Sequence, residues 1–349
     1  MSSRSPRGWK GFTLVEILVS TAIVAMLLVI LLSITSQATT MWRYANGRIE
    51  QFRQAREAFD LISRRLSQAT LNTYWDYDDP TAPSRYIRQS ELRFLSGPTE
   101  NLAGTPSDGK RWPTHGVFFQ APLGASQPGQ TNLASLNSLL NTWGYFVEFG
   151  SDSAFRPSVL DSSPVTPRYR FRLCELIQPA TDLSIYNSTS GTGSDGKAKN
   201  LTYTGRDWFT TPLTASGTRP VHELAENVLA LVLLPKLPAE EDAGGTQLAA
   251  NYLYDSTASN AQAKLNPKNQ LPPLVQMTMV CLDENSARRL ENGTTMPDLG
   301  LGPLFTDATT YDADLRKLEQ ALTQKHLSYR VFTTTVRLRE AKWSSDQQN

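Results

Sequence analysis

GFTLVEILVSTAIVAMLLVILL, residues 11–32, decides how the chain must be arranged. Of the 21 residues from Phe12 to Leu32, only Thr13, Glu16, Ser20 and Thr21 are polar. A helix of that length crosses the roughly 30 Å hydrocarbon core of a bilayer. Glu16 stands inside the run. On insertion scales a carboxylate at a helix centre costs roughly 2.5–3.5 kcal/mol, which makes it a functional candidate by default. Arg4, Arg7 and Lys10 precede the run. That positive charge predicts a cytoplasmic N-terminus and export of everything that follows.

The helical pattern does not stop at the end of the apolar run. Apolar or small residues recur at Ile34, Ala38, Met41, Ala45, Ile49, Phe52, Ala55, Phe59, Ile62, Leu66 and Ala69, in steps of three or four. Arg43, Arg48, Glu50, Arg53, Glu57, Arg64 and Arg65 fill the other face, and no proline falls between Pro6 and Pro80. The spacing predicts one helix from about Phe12 to about Leu71, apolar all round at first and amphipathic later. Its weak point is Asn46-Gly47, where a bend is expected. The first half needs lipid or neighbouring copies of the same helix to cover it.

The order of basic leader, Gly11, Phe12, three further residues, Glu16 and an unbroken apolar run resembles the processing site and first helix of type IV prepilins and type II secretion pseudopilins. The resemblance covers about the first tenth of the chain. It implies cleavage between Gly11 and Phe12 by prepilin peptidase, N-methylation of Phe12, and Glu16 as the carboxylate used in assembly. Two other readings compete. A cleaved signal peptide would need a small-residue site after the apolar region, and Ser33-Ile34-Thr35-Ser36-Gln37 has no A-x-A pattern. A plain anchor would let Glu16 snorkel to the near interface.

The parts are then a leader (1–11), the membrane and assembly half of the helix (12–33), its amphipathic half (34–72) and an exported domain (73–349). Trp75-Asp76-Tyr77-Asp78-Asp79-Pro80 reads as the helix end and a loop. Strand patterns follow at Glu91–Leu95, Gly116–Gln120, Tyr145–Phe149, Tyr169–Ile177, Val228–Leu234, Leu274–Leu282 and Tyr329–Leu338. Alternation of Tyr169, Phe171 and Leu173 with Arg168, Arg170 and Arg172 reads as antiparallel sheet covered on one face. Leu224–Leu234 reads as a short helical turn leading into a strand, and Asp312–His326 as a second helix. The fold class is α+β: a long N-terminal helix packed on an antiparallel sheet domain with long Gly, Pro, Ser and Asn loops.

Weaker resemblance continues downstream. Tyr169-Arg170-Phe171-Arg172-Leu173 with Glu175 and Gln178-Pro179, Leu224-Ala225-Glu226-Asn227-Val228, Leu271-Pro272-Pro273-Leu274-Val275 and Tyr329-Arg330-Val331-Phe332 are similar to the large J-type minor pseudopilin. They look closer still to cassette protein C of the Verru_Chthon prepilin-like families, an operon grouping that supplies no activity. The family implies a pilin-like fold and a structural role in a pseudopilus or pilus-like filament. Its partners would be prepilin peptidase, other pilin-like subunits and the inner membrane. Placement would be single-pass, with the large domain periplasmic and, after assembly, in a periplasmic or surface filament. The alternative is a membrane-anchored binding module that uses the prepilin route for placement alone.

Other chemistry finds little support in the residues. The formal charge of +1 leaves no global footprint for nucleic acid, and Glu50, Glu57 and Asp60 interrupt the helix arginines. Gly191-Thr192-Gly193-Ser194-Asp195-Gly196 fits GxGxxG but lies in a polar low-complexity stretch, so no cofactor is expected. His115, His222 and His326 are scattered, and the hydrolase elbow GxSxG is absent, so neither a metal centre nor an enzyme is expected. Asp76, Asp78 and Asp79 lack the spacing of a calcium loop. Cys174 and Cys281 would both be exported, and a disulfide between them stands open beside two buried thiols.

Overall fold

Leu14 to Leu66 form one helix, α1, of 53 residues. The computed structural model describes residues 13–344 other than 80, 107–108, 127–135, 137, 158, 160–165, 187–189, 193–197, 201–204 and 216–218, with side chains described outside 43–51 and 186–204. Two units divide the chain, Met1–Glu50 and Gln51–Asn349.

The described part of the first unit is helix, and helical residues continue through Asn46-Gly47. Its large apolar side chains, from Leu14 to Leu32 and on through Ile34 and Met41, are exposed. Leu14–Trp42 is long and apolar enough to cross a membrane once.

The second unit begins with the last turns of α1. Ala55, Ala58, Phe59, Ile62 and Leu66 are buried there, at the spacing that lines one helix face. The helix ends at Leu66, several residues before the aspartates expected to stop it. Tertiary hydrogen bonds end it: Thr70 N–H donates to the Gln120 carbonyl (2.9 Å), and Arg339 N–H to the Ser67 carbonyl (2.9 Å). Asn72 then takes a positive φ of 39°, which Asn tolerates better than most residues.

Next comes a hairpin rather than a loop. Strands β1 (Tyr74–Tyr77) and β2 (Tyr86–Gln89) pair antiparallel, with Tyr77 opposite Tyr86. The turn closes because Asp78 Oδ1 accepts from the amides of Ser84 (3.0 Å) and Arg85 (3.2 Å).

A six-stranded sheet follows, ordered β11 (Tyr254–Asp255), β3 (Leu95–Pro98), β4 (His115–Pro122), β5 (Leu140–Ser151), β6 (Tyr169–Gln178) and β9 (Val221–Glu226). A three-stranded sheet is ordered β10 (Val228–Lys236), β12 (Leu274–Leu282) and β13 (Tyr329–Arg337). β7 (Ser190–Thr192) and β8 (Ala198–Asn200) pair alone. Helices α2 (Thr99–Ala103), α3 (Asp207–Thr214), α4 (Glu284–Leu290) and α5 (Tyr311–Gln324) decorate the sheets. Every strand pairing among the described residues is antiparallel. The molecule is therefore α+β, with a long apolar N-terminal helix and antiparallel sheets.

Two expectations are corrected by packing. Leu224–Leu234 holds no helical turn: β9 runs straight into β10 through Asn227, whose φ is 60°. Asn227 N–H donates to the Phe171 carbonyl (2.8 Å) and its own carbonyl accepts from Leu282 N–H (2.9 Å), so this residue passes the chain from one sheet to the other. The sheet is also not half open at β6. Its arginine face is covered, and the Arg170 and Arg172 side chains are 2% exposed. The pattern reads as a solvent face because the carboxylates that neutralise it lie elsewhere in sequence. Arg170 donates to both oxygens of Glu284 on α4, at 2.6 and 2.9 Å, and its Nε to Glu291 at 2.7 Å. β13 does alternate, with Phe332 and Val336 buried and Thr333, Thr335 and Arg337 exposed.

Candidate functional site

The first turn of α1 carries the chemistry. Thr13 Oγ1 accepts from Glu16 N–H at 3.3 Å, and Glu16 Oε2 accepts from Thr13 N–H at 2.9 Å. This is a reciprocal capping box, with Thr13 at the N-cap and Glu16 three residues on. Glu16 Oε2 also accepts from the Thr13 hydroxyl at 3.0 Å. Glu16 Oε1 accepts no hydrogen bond among the described residues. The sequence signal for this cap is local, the Thr-x-x-Glu pattern of Thr13 to Glu16.

Hydroxyls along the span beyond are satisfied within the helix. Ser20, Thr21, Thr35, Thr39 and Thr40 each donate their hydroxyl to a carbonyl one turn back, at 2.7–3.0 Å. In lipid a hydroxyl must find such a partner within its own helix or a neighbour. Glu16 is the single ionisable residue between Leu14 and Trp42. Gly11 and Phe12, the expected cleavage and methylation residues, lie outside the described residues.

The other sequence candidates are dispersed. Gly191 and Thr192 of the glycine motif sit in β7, paired antiparallel to β8, and α3 begins only at Asp207; residues 193–197 lie outside the described residues. His222 and His326 are exposed, and His115 is buried. His115 Nδ1 accepts from Leu233 N–H (3.2 Å) and its Nε2–H donates to the Phe305 carbonyl (3.0 Å). Its place is at the edge of β10, where Leu231 N–H likewise donates to the Thr114 hydroxyl (3.2 Å). Asp78 and Asp79 are engaged inside their own turn, Asp79 by Thr81. Among the described residues no group of three or more His, Cys, Asp or Glu side chains is placed to hold a metal ion.

Cys174 and Cys281 are free, buried thiols. The disulfide left open above is not formed: Cys174 lies on β6 and Cys281 on β12, in different sheets. Burial pushes the Cys281 thiol up to about 12 and Cys174 well above its ordinary value. Neither is a thiolate nucleophile at neutral pH.

A polar group that periodicity did not reveal fastens α1 to the six-stranded sheet. Arg65 pairs with Glu175 on β6, donates to the Tyr145 hydroxyl (3.2 Å), and lies 4.1 Å from the Trp143 ring centroid. The Glu175 side chain is 5% exposed. A cleft of about 850 Å³ beside β9 is lined by Asp152, Arg156, Arg168, His222 and Glu223. Its charges are largely spent on internal pairs, including Arg156–Asp152 and Arg172–Glu223, each at 2.8 Å.

What fold and site define together is an α+β domain carried behind one helix able to span a membrane, with a lone carboxylate in that helix's first turn. Comparison with family models, curated proteins and solved structures finds no match to this chain.

Proposed function

We propose that this chain is a pilin-like structural subunit, cleaved between Gly11 and Phe12, methylated on Phe12, and assembled with other pilin-like subunits through Glu16. The filament would be a type II secretion pseudopilus or a pilus-like fibre, reached from the inner membrane with the large domain on the periplasmic side. The observation that carries this reading is an apolar helix face left exposed behind a carboxylate of which one oxygen accepts no hydrogen bond among the described residues. Such a helix finds cover in lipid or among identical helices. A positive terminal amine on Phe12 of one subunit and Glu16 of its neighbour would neutralise each other in that apolar setting. Leaving one partner of such a pair alone costs about 3–5 kcal/mol. The bulk of the exported domain suits a minor or terminal position in an array.

The capping box gives Glu16 a competing role, that of starting the helix. Glutamine at 16 separates the two, because its amide oxygen caps as well as a carboxylate does and carries no charge. Wild type, Glu16→Gln, Glu16→Ala and Glu16→Asp are co-expressed with a prepilin peptidase and a major pilin. N-terminal masses are read, and the subunit is quantified in sheared filaments against membranes. Mature chains starting at Phe12 are expected in all four. Gln and Ala should both be lost from filaments, with Asp intermediate. Wild-type incorporation of Glu16→Gln would reduce Glu16 to a cap and favour a membrane-anchored binding module.

A further inference from the structure

The hairpin β1–β2 carries an aromatic face that serves no core. Trp75 is opposite Arg88 and Tyr77 opposite Tyr86. Directly opposed residues share a sheet face. Trp75 is 64% exposed, Tyr77 44% and Tyr86 63%. The Tyr77 and Tyr86 rings stack at 4.7 Å, with their hydroxyls 3.0 Å apart. The Arg88 guanidinium lies 5.6 Å from the Trp75 ring centroid. It is held by donating to Gln270 Oε1 (3.1 Å) and to the Lys342 carbonyl (2.9 Å).

Arg88 also forms a wall of a cleft of about 200 Å³, whose other polar walls include Asn72, Thr73, Asn269, Glu340 and Lys342. The aromatic face therefore starts at the mouth of a polar cleft, and one fixed arginine belongs to both. Trp75 and Tyr77 are two residues apart, so they stand roughly 7 Å from one another along the strand.

The chemistry of this juxtaposition selects its ligand. Its charges are mixed: Arg88, Lys342 and Glu340 line the cleft, and Arg85 pairs with Asp78 in the hairpin turn at 3.6 Å. With Arg88 already donating to Gln270 and to the Lys342 carbonyl and Glu340 beside Lys342 in the lining, the site offers little to a phosphate backbone, whose binding depends on a run of basic side chains. The cleft's amide, hydroxyl and charged walls give little cover to an apolar side chain or lipid tail. A neutral polyhydroxylated chain suits both parts. Its C–H faces lie against aromatic rings, and its hydroxyls both donate and accept among amides, carboxylate and ammonium.

We propose that the Trp75–Tyr77–Tyr86 face and the adjoining Arg88 cleft form a binding site for a neutral oligosaccharide. Preorganisation by the Arg88 bonds keeps the ordering cost low. The site does not depend on filament assembly.

The test uses the full chain in lipid nanodiscs, since glycoside detergents would compete. Cellotetraose, maltotetraose and chitotetraose are titrated, with calorimetry and saturation-transfer NMR as readouts. At least one should bind with a Kd of roughly 10 μM to 1 mM. Trp75→Ala should weaken it at least about tenfold. Glu340→Gln, a surface change outside the hairpin, should weaken it several-fold while leaving unfolding unchanged. Binding of none of the three sugars, or full affinity in Trp75→Ala, overturns the proposal. So does tighter binding of single-stranded DNA than of any sugar. Self-association abolished by Trp75→Ala with sugar affinity intact would give the face to a second copy and overturn it equally.

Discussion

His115 illustrates how a residue with no legible role acquires one from packing. Both ring nitrogens are used, one accepting from β10 and one donating to the Phe305 carbonyl. Burial pushes its pKa down to about 4 against the pull of that carbonyl. In the unfolded chain the value returns to about 6.5. As pH falls, the unfolded state takes up a proton first, so this stability is present above about pH 6.5 and is lost between there and about pH 4. The gap is worth about 3 kcal/mol. Urea unfolding should show wild type losing that much more than His115→Gln across the window, because glutamine keeps both hydrogen bonds without titrating. Equal losses would exonerate His115. Glu284 adds a later loss. Burial raises its carboxyl, but Arg170 and Arg288 outweigh burial and hold it at about 2. Its contribution is present above about pH 4.5 and goes as pH falls towards 2. Arg170→Met should therefore flatten the acid limb below about pH 4.5, measured in the same titration. A limb as steep as wild type would count against the pair.

At the scale of elements, the last turns of α1 are joined to both sheets. Phe59 meets Phe332 of β13 at 5.8 Å, and Arg330 lies over Phe52. Arg65 meets β5 and β6. Burial raises the Glu175 pKa, and Arg65 opposes that rise. Removing Arg65 strands a carboxylate in a site 5% exposed. Arg65→Ala should destabilise by about 3 kcal/mol at neutral pH, the low end for a broken buried pair because Arg65 is itself partly exposed. The deficit should shrink as pH falls, since a protonated Glu175 needs no counter-charge. Arg65→Ala/Glu175→Gln should recover much of the loss. Chemical denaturation of the single and double variants at about pH 7 and pH 5 measures both effects. A deficit independent of pH would show that the Trp143 stacking, not the ion pair, holds the helix.

On the scale of the whole molecule, the two units differ in what they require of solvent. Among the described residues the buried apolar side chains run from Ala55 onward, nearly all of them in one contiguous cluster. The span Leu14–Trp42 contributes nothing buried. A chain beginning at Gln51 should therefore be soluble without detergent and unfold within a few degrees of the full chain's domain transition, as read by calorimetry. A shortened chain that aggregates, or melts far below the full one, would show that the domain depends on residues before Gln51.

Composition alone determined the division between a helix long and apolar enough to span a membrane and a folded domain, because lipid compatibility depends on residue type and run length. Periodicity placed the longer strands: Leu274–Leu282 matches β12, and Asp312–His326 lies within two residues of α5 at each end. The Thr13–Glu16 cap was equally local, readable in four residues. Only the tertiary structure decided the rest. The end of α1, the chain's passage between sheets at Asn227, the burial of Arg170 and Arg172, and the separation of Cys174 from Cys281 all turn on partners far away in sequence. Alternation reports which side chains share a face, never what covers that face. The Trp75–Arg88 platform is of the same kind. Its aspartates read as a loop because the pairing of Tyr77 with Tyr86 becomes visible only when the chain folds back on itself.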